Sequence, residues 1–176
     1  MGRLFACVTF VALAAVGCKA APLVTPAPSA ARKKTPTPVP TQPSKTVPAG
    51  GTVAFGKAVR TRAGDTVTVY GWHRGANRAV APGPGEVYES FDVGFCAGPQ
   101  VEEAASDLNP LFSLLLRDGE GISPDSSYSG PGEFKTLGKI SAGHCVRGPV
   151  VFQIPGGPTP RYFLFSSSAT TKWTVY

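Results

Sequence analysis

Two runs of the chain alternate apolar and polar residues strictly enough to fix the side of a strand that each residue takes. In YESFDVGFC (88–96), Phe91, Val93 and Phe95 share a face with the preceding Val87, while Tyr88, Ser90, Asp92, Gly94 and Cys96 take the other. In SAGHCVRGPVVFQIP (141–155), Val146, Val150, Phe152 and Ile154 share a parity, and Cys145, Arg147 and Gln153 take the opposite one. Each run predicts a strand with one core-facing side and a cysteine on the side away from that core. An extended piece at 52–60 meets a turn at Ala63-Gly64-Asp65, and TVTVYGW (66–72) alternates with Val67 and Val69 on one side and Thr66, Thr68 and Tyr70 on the other. LFSLLL (111–116) runs into the hairpin-like turn Arg117-Asp118-Gly119-Glu120-Gly121. After the turn Pro155-Gly156-Gly157-Pro158 come YFLF (162–165) and KWTVY (172–176), with Trp173 and Val175 facing the core. Residues 97–108 and 123–132 read as loops, and no stretch predicts a helix. Seven to nine short strands result, and their economical arrangement is an all-β antiparallel sandwich over 51–176.

The first 50 residues break this pattern. MGRLFACVTFVALAAVGC has a short positive start at Arg3 and an apolar run at 4–16 that reaches only about 20 Å as a helix, too short for a hydrocarbon core of about 30 Å. It reads as a signal peptide over 1–17. Ala15-Val16-Gly17-Cys18 resembles the lipobox of bacterial lipoproteins, in which cleavage leaves an N-terminal cysteine that carries lipid. Cys18 is therefore the candidate lipidation site, with palmitate-type acyl chains as a membrane anchor. The alternative is an ordinary secretion signal cleaved near Ala20 or Ala21, which discards Cys18. From 18 to 50 the chain is rich in Pro, Thr and Lys and lacks the apolar bulk for a core, so it reads as a disordered, semi-rigid tether. Its cluster Arg32-Lys33-Lys34 is a solvated run that can also meet anionic lipid or wall polymer.

Charge is informative once it is located. The formal net charge is +6, yet six of the 17 Lys and Arg lie at or before Lys45, and from Gly50 onward 11 basic residues balance 11 acidic ones. A neutral domain does not predict a nucleic-acid partner. The cysteines divide in the same way. Cys7 belongs to the leader and Cys18 to lipid, which leaves Cys96 and Cys145 in an exported, oxidising compartment, where they pair as a disulfide. Their parity places that bond on an outer face or at strand ends, unlike the inter-sheet bridge of antibody domains.

The motifs FDVGFCAG (91–98), LFSLLLRDGEG (111–121), SAGHCVRGPVVFQIPGG (141–157) and YFLFSSSATTKWTV (162–175) together resemble a bacterial family of secreted and lipoprotein immunoglobulin-like domains of unknown function, that of the mycobacterial major secreted immunogenic protein. The resemblance spans about 51 to the end and implies an immunoglobulin-like antiparallel sandwich, an extracytoplasmic location and no established catalytic activity. Pro149 departs from the pattern. Proline cannot donate to a ladder, so this part of the strand is expected at an edge or a bulge.

Chemistry-bearing residues are sparse. A nucleophile–base–acid triad needs His73 or His144 beside Ser and Asp, and Asp125, Ser126 and Ser127 are available only on a predicted loop. His144 and Cys145 are adjacent and so point to opposite faces of a strand. Asp118, Glu120 and Asp125 could collect calcium, but acid–glycine turns are usually solvated hairpins. Trp72, His73, Arg74 and Arg78 combine aromatic and basic groups at a strand end, a place for polymer or protein contact or simply rim packing. No catalytic, cofactor-binding or metal-binding residue is assigned. The leading expectation is an exported module on the outer face of the cell membrane, anchored through Cys18, with a non-enzymatic binding or structural role toward an envelope protein, lipid or wall polymer. The alternatives are an envelope hydrolase or metal-dependent enzyme using His73 or His144, and an antigenic surface protein without a specific ligand.

Overall fold

A strand with one apolar side is stable only when a second sheet covers that side, and two sheets here cover each other. The computed structural model describes residues 43, 45–75, 81–100, 102–127, 130 and 132–176. Among them twelve strands pair: β1 (Thr46–Pro48), β2 (Gly51–Val53), β3 (Ala58–Arg60), β4 (Thr66–Arg74), β5 (Glu86–Cys96), β6 (Glu103–Ala104), β7 (Phe112–Leu116), β8 (Gly121–Ile122), β9 (Lys139–Ile140), β10 (Cys145–Pro155), β11 (Pro160–Ser166) and β12 (Thr170–Thr174). Nine of them have at least three residues, and β6, β8 and β9 have two. The first sheet runs β1-β3-β4-β5-β10, the second β2-β12-β11-β7-β8, and β6 pairs with β9 alone. The expected β-sandwich is present.

The seam between β5 and β10 is the longest pairing, eleven residues in unbroken antiparallel register from Glu86↔Pro155 to Cys96↔Cys145. Phe91, Val93 and Phe95 of β5 and Val150, Phe152 and Ile154 of β10 all point into the core with no exposed surface. The second sheet answers with Phe112, Leu114 and Leu116 of β7, Phe163 and Phe165 of β11 and Trp173 of β12. Phe163 is the meeting point. Its ring stacks on Phe91 at 4.5 Å and on Phe112 at 5.5 Å, meets Phe152 edge-on at 5.9 Å and lies 5.9 Å from Trp173.

At one end of the seam Cys96 and Cys145 form the disulfide, between neighbouring strands of one sheet and on the side away from the core. Ala97 N–H donates to the His144 carbonyl at 3.0 Å, the flanking bond that marks Cys96 and Cys145 as a non-hydrogen-bonded pair, where opposite Cα atoms come closest. The bond closes a sequence separation of 49, and such a loop removes about 4 kcal/mol of unfolded-chain entropy in the chain-entropy model. The same alternation puts Pro149, opposite Asp92, at another non-hydrogen-bonded position with its nitrogen outside the ladder. β10 is the edge strand of its sheet, so the missing N–H costs nothing there.

Three features depart from the sequence expectation. β1 pairs parallel with β3, and β2 pairs parallel with β12, so the sandwich is not wholly antiparallel. β1 lies inside the stretch assigned to the tether: the chain follows the edge of the first sheet and crosses to the second at Ala49-Gly50. Gly50 and Gly51 make the crossing with φ of +116° and +71°, values that side chains disfavour. Residues 97–108, expected as loop, contain β6 and the one-turn helix α1 (Ala105–Leu108), followed by a 3₁₀ turn at Asn109–Leu111. α1 buries only Ala105 and Leu108, too few positions to display a helical period in the sequence. The third departure is a bulge in β4. Register with β5 passes from Val69↔Val93 to Gly71↔Asp92, which leaves Tyr70 as the extra residue.

Replacing Phe163 with Ala removes the ring that joins both sheets. The expected loss is about 3–5 kcal/mol of unfolding free energy, read from urea denaturation. A loss below about 1 kcal/mol would place the centre of the core elsewhere.

Candidate functional site

The bulge at Tyr70 reverses the parity of the rest of β4 and so decides what the aromatic–basic cluster does. Uninterrupted alternation would put Trp72 and Arg74 on the outer face with Thr66, Thr68 and Tyr70. With one residue added, Trp72 lies opposite Phe91 and Arg74 opposite Glu89, on the inward parity of β5. Trp72 is half-buried against the core. Its indole N–H donates to Glu89 Oε2 at 2.7 Å, and Arg74 Nε lies 3.3 Å from Glu89 Oε1. Arg74 also donates through Nη2 to the carbonyl of Gly156, in the turn between β10 and β11. Glu89 itself has no exposed surface. Burial raises its pKa from the ordinary 4.5, and the Trp72 hydrogen bond and Arg74 charge oppose that shift without cancelling it. Trp72 and Arg74 together partner the Glu89 carboxylate. Glu89 sits at an apolar parity between Val87 and Phe91, and that position was the available signal for a buried, partnered carboxylate.

Tyr70 itself stays outside, 38% exposed, above the first sheet's outer face. Gly94 makes this possible, because a Cβ there would come within 2.8 Å of the Tyr70 ring. The Arg147 guanidinium stacks on the ring at 4.0 Å from its centroid and forms a two-pronged ion pair with Asp92, Nη2 to Oδ2 at 2.5 Å and Nε to Oδ1 at 3.0 Å. Further along the same face Tyr88 and Val151 form a second buried cluster, at 2% and 1% exposure. The outer face of the first sheet is therefore partly buried.

The remaining candidates fall apart in space. His73, opposite Ser90 near the middle of β5, and His144, next to the Cys145↔Cys96 pair at the end of β5, are both exposed. Six residues of strand separate Ser90 from Cys96, about 20 Å, so the two histidines share no site. Ser127 donates through both its N–H and its hydroxyl to Asp125 Oδ1, at 2.8 and 2.7 Å, which makes this pair a local turn. Asp118 Oδ1 likewise accepts from Glu120 N–H within its own hairpin turn. Asp125 belongs instead with Lys135, whose ammonium donates to the Asp125 and Ser126 carbonyls and lies 3.4 Å from buried Glu133. Among the described residues no three His, Cys, Asp or Glu side chains gather as metal ligands. Cys18, the leader, Arg32-Lys33-Lys34 and Arg78 lie outside the described residues.

Solved structures share this fold. The chain is similar to an uncharacterized β-sandwich protein from Clostridium difficile 630, with a TM-score of 0.55 and 12% identity over 77% of this chain and 100% of that one. It is also similar to MPT63, a secreted protein from Mycobacterium tuberculosis, with a TM-score of 0.54 and 16% identity over 72% of this chain and 98% of that one. The resemblance drawn from the cysteine-bearing motifs is thus met by a secreted mycobacterial protein at the level of the fold. Neither a protein-family model nor a curated protein sequence matches the chain.

Glu89 also sets a pH signature. A carboxyl whose pKa is raised by folding binds its proton more tightly in the native state, so stability falls as pH climbs from about the ordinary value of 4.5 through the raised one. Buried Glu133, raised chiefly by desolvation, contributes in the same direction. Glu89→Gln keeps an acceptor for Trp72 and removes the charge. Its urea midpoint should decline less than the wild-type midpoint between pH 4.5 and 8, and parallel declines would contradict the assignment.

Proposed function

We propose that this protein is an exported, lipid-anchored β-sandwich module with a non-enzymatic binding role at the bacterial cell envelope. The observation that carries the export half is the Cys96–Cys145 disulfide, built into the longest strand pairing of the fold. Such bonds persist in oxidising compartments and are rare in the reducing cytosol. The leader at 1–17 and the likeness to a secreted protein support the same reading. Cys18 carries the anchor in this account, because several acyl chains on one residue hold a protein durably at a membrane where a single chain does not. Residues 18–42 then act as a spacer that carries the sandwich away from the bilayer.

Support for binding over catalysis is geometric. The two histidines lie about 20 Å apart along β5, Ser127 is turned onto Asp125, and the polar clusters at Glu89 and Asp92 are occupied by Trp72, Arg74 and Arg147. The partner is an envelope component met by the outer surface of the sandwich. Cys18→Ala tests the anchor: the wild type should fractionate with membranes, and the variant should appear in the soluble exported or culture fraction. A variant that stays firmly in the membrane fraction would sink the anchoring claim and leave the fold untouched.

A further inference from the structure

The domain is neutral in sum, but one of its edges carries cations without carboxylates. β1 and β3 form the outer edge of the first sheet, and the two-residue crossing at Ala49-Gly50 brings the β2 edge of the second sheet to the same side. Lys45, Lys57, Arg60 and Arg62 lie along this edge, all exposed. No carboxylate lies between residues 45 and 64. The nearest in sequence, Asp65, is turned inward, where it accepts from the Thr61 hydroxyl at 3.1 Å and the Gly98 N–H at 2.9 Å. None of the four cations has an ion-pair partner among the described residues. The acidic residues Asp118, Glu120, Asp125 and Glu133 belong to segments beside β8 and β10, the opposite edges of the two sheets.

A cleft lies at each end of the β1–β3 pair. One, of about 250 Å³, is lined by Lys45, Lys57, Thr68 and Tyr70. The other, of about 470 Å³, is lined by Val47, Arg60, Arg62 and Ser168. Parallel register sets Thr46 beside Ala58 and Pro48 beside Arg60, so Lys45 and Lys57 sit together at one end and the two arginines follow toward the other. From Lys57 to Arg60 the chain along β3 covers about 10 Å at roughly 3.3 Å per residue, and Arg62 follows in the turn to β4. Cations spread along a line suit a linear polyanion better than one small ion.

We propose that this edge is a binding groove for a linear, phosphate-bearing polymer. Arginine presents a planar fork that takes two phosphate oxygens at once, and exposed lysines add point charge along the polymer. The hydroxyl of Ser168 lines the arginine cleft and supplies a further donor. The Tyr70 ring lies on Gly94 and carries the Arg147 guanidinium, so it gives no free stacking platform for a nucleic-acid base. This names a ligand class for the binding role proposed above and rests on that reading alone. Cys18 does not enter it, so loss of anchoring and loss of polymer binding are separate results.

The test uses the exported full chain in detergent, with inorganic polyphosphate as the probe and polygalacturonate as a polycarboxylate of comparable length. Lys45, Lys57, Arg60 and Arg62, all changed to Ala, should weaken polyphosphate binding at least about tenfold and flatten its salt dependence, since fewer counterions are released. The matched control changes Arg117, Lys139, Arg161 and Lys172 to Ala, the same loss of charge from exposed positions elsewhere, and should stay within about twofold of wild type. Near-UV circular dichroism confirms that both variants are folded. Equal weakening by the two variants would overturn the groove, because binding would then follow net charge alone. No wild-type binding to polyphosphate, or equal affinity for polygalacturonate, would overturn the assignment to phosphate.

Discussion

The structure depends on the pairing of β5 with β10. β5 is the one long strand with long neighbours on both sides, β4 and β10, and its parity propagates to each. With Phe91, Val93 and Phe95 inward, Phe152 and Phe163 are brought onto Phe91, and the aromatic core follows. With Asp92, Gly94 and Cys96 outward, the disulfide, the Arg147–Asp92 pair and the Tyr70 ring line up on the opposite face. A slip of one residue in this ladder would exchange the two sets, burying Asp92 and exposing three large apolar side chains. The disulfide opposes that slip covalently at the end where β5 leaves the sheet.

Parity along β5 and β10 is legible in the sequence because neither strand contains a bulge, and it suffices to place the cysteine bridge on the outer face. β4 shows the limit of the same reasoning. Tyr70-Gly71 hides an inserted residue that no alternation count reveals, and from there on Trp72 and Arg74 swap sides. Of the aromatic–basic cluster, Trp72 and Arg74 pack at the rim over buried Glu89. β1 reads as tether and β2 merges into the extended piece at 52–60 for another reason. Their side chains are mostly exposed and their composition is that of the tether, so backbone pairing at the sheet edges holds them where apolar periodicity cannot. α1 carries two buried residues in one turn, which is less than a period.

Charge behaved similarly. A count over the chain describes the domain as neutral, and only sheet order reveals an edge where cations gather without carboxylates. Clefts lined by one sign of charge raise the local concentration of an oppositely charged partner and speed its capture. The polar clusters at Glu89 and Asp92 serve stability, and the edge where β1 joins the sandwich carries cations that have no ion-pair partner among the described residues.

The principal seam of the sandwich is locked covalently between Cys96 and Cys145. Mass mapping of the protein recovered from the envelope, alkylated without prior reduction and then digested, tests it most directly. The account predicts one linked peptide pair joining Cys96 to Cys145, with neither residue alkylated. Recovery of both cysteines as free alkylated thiols would contradict it.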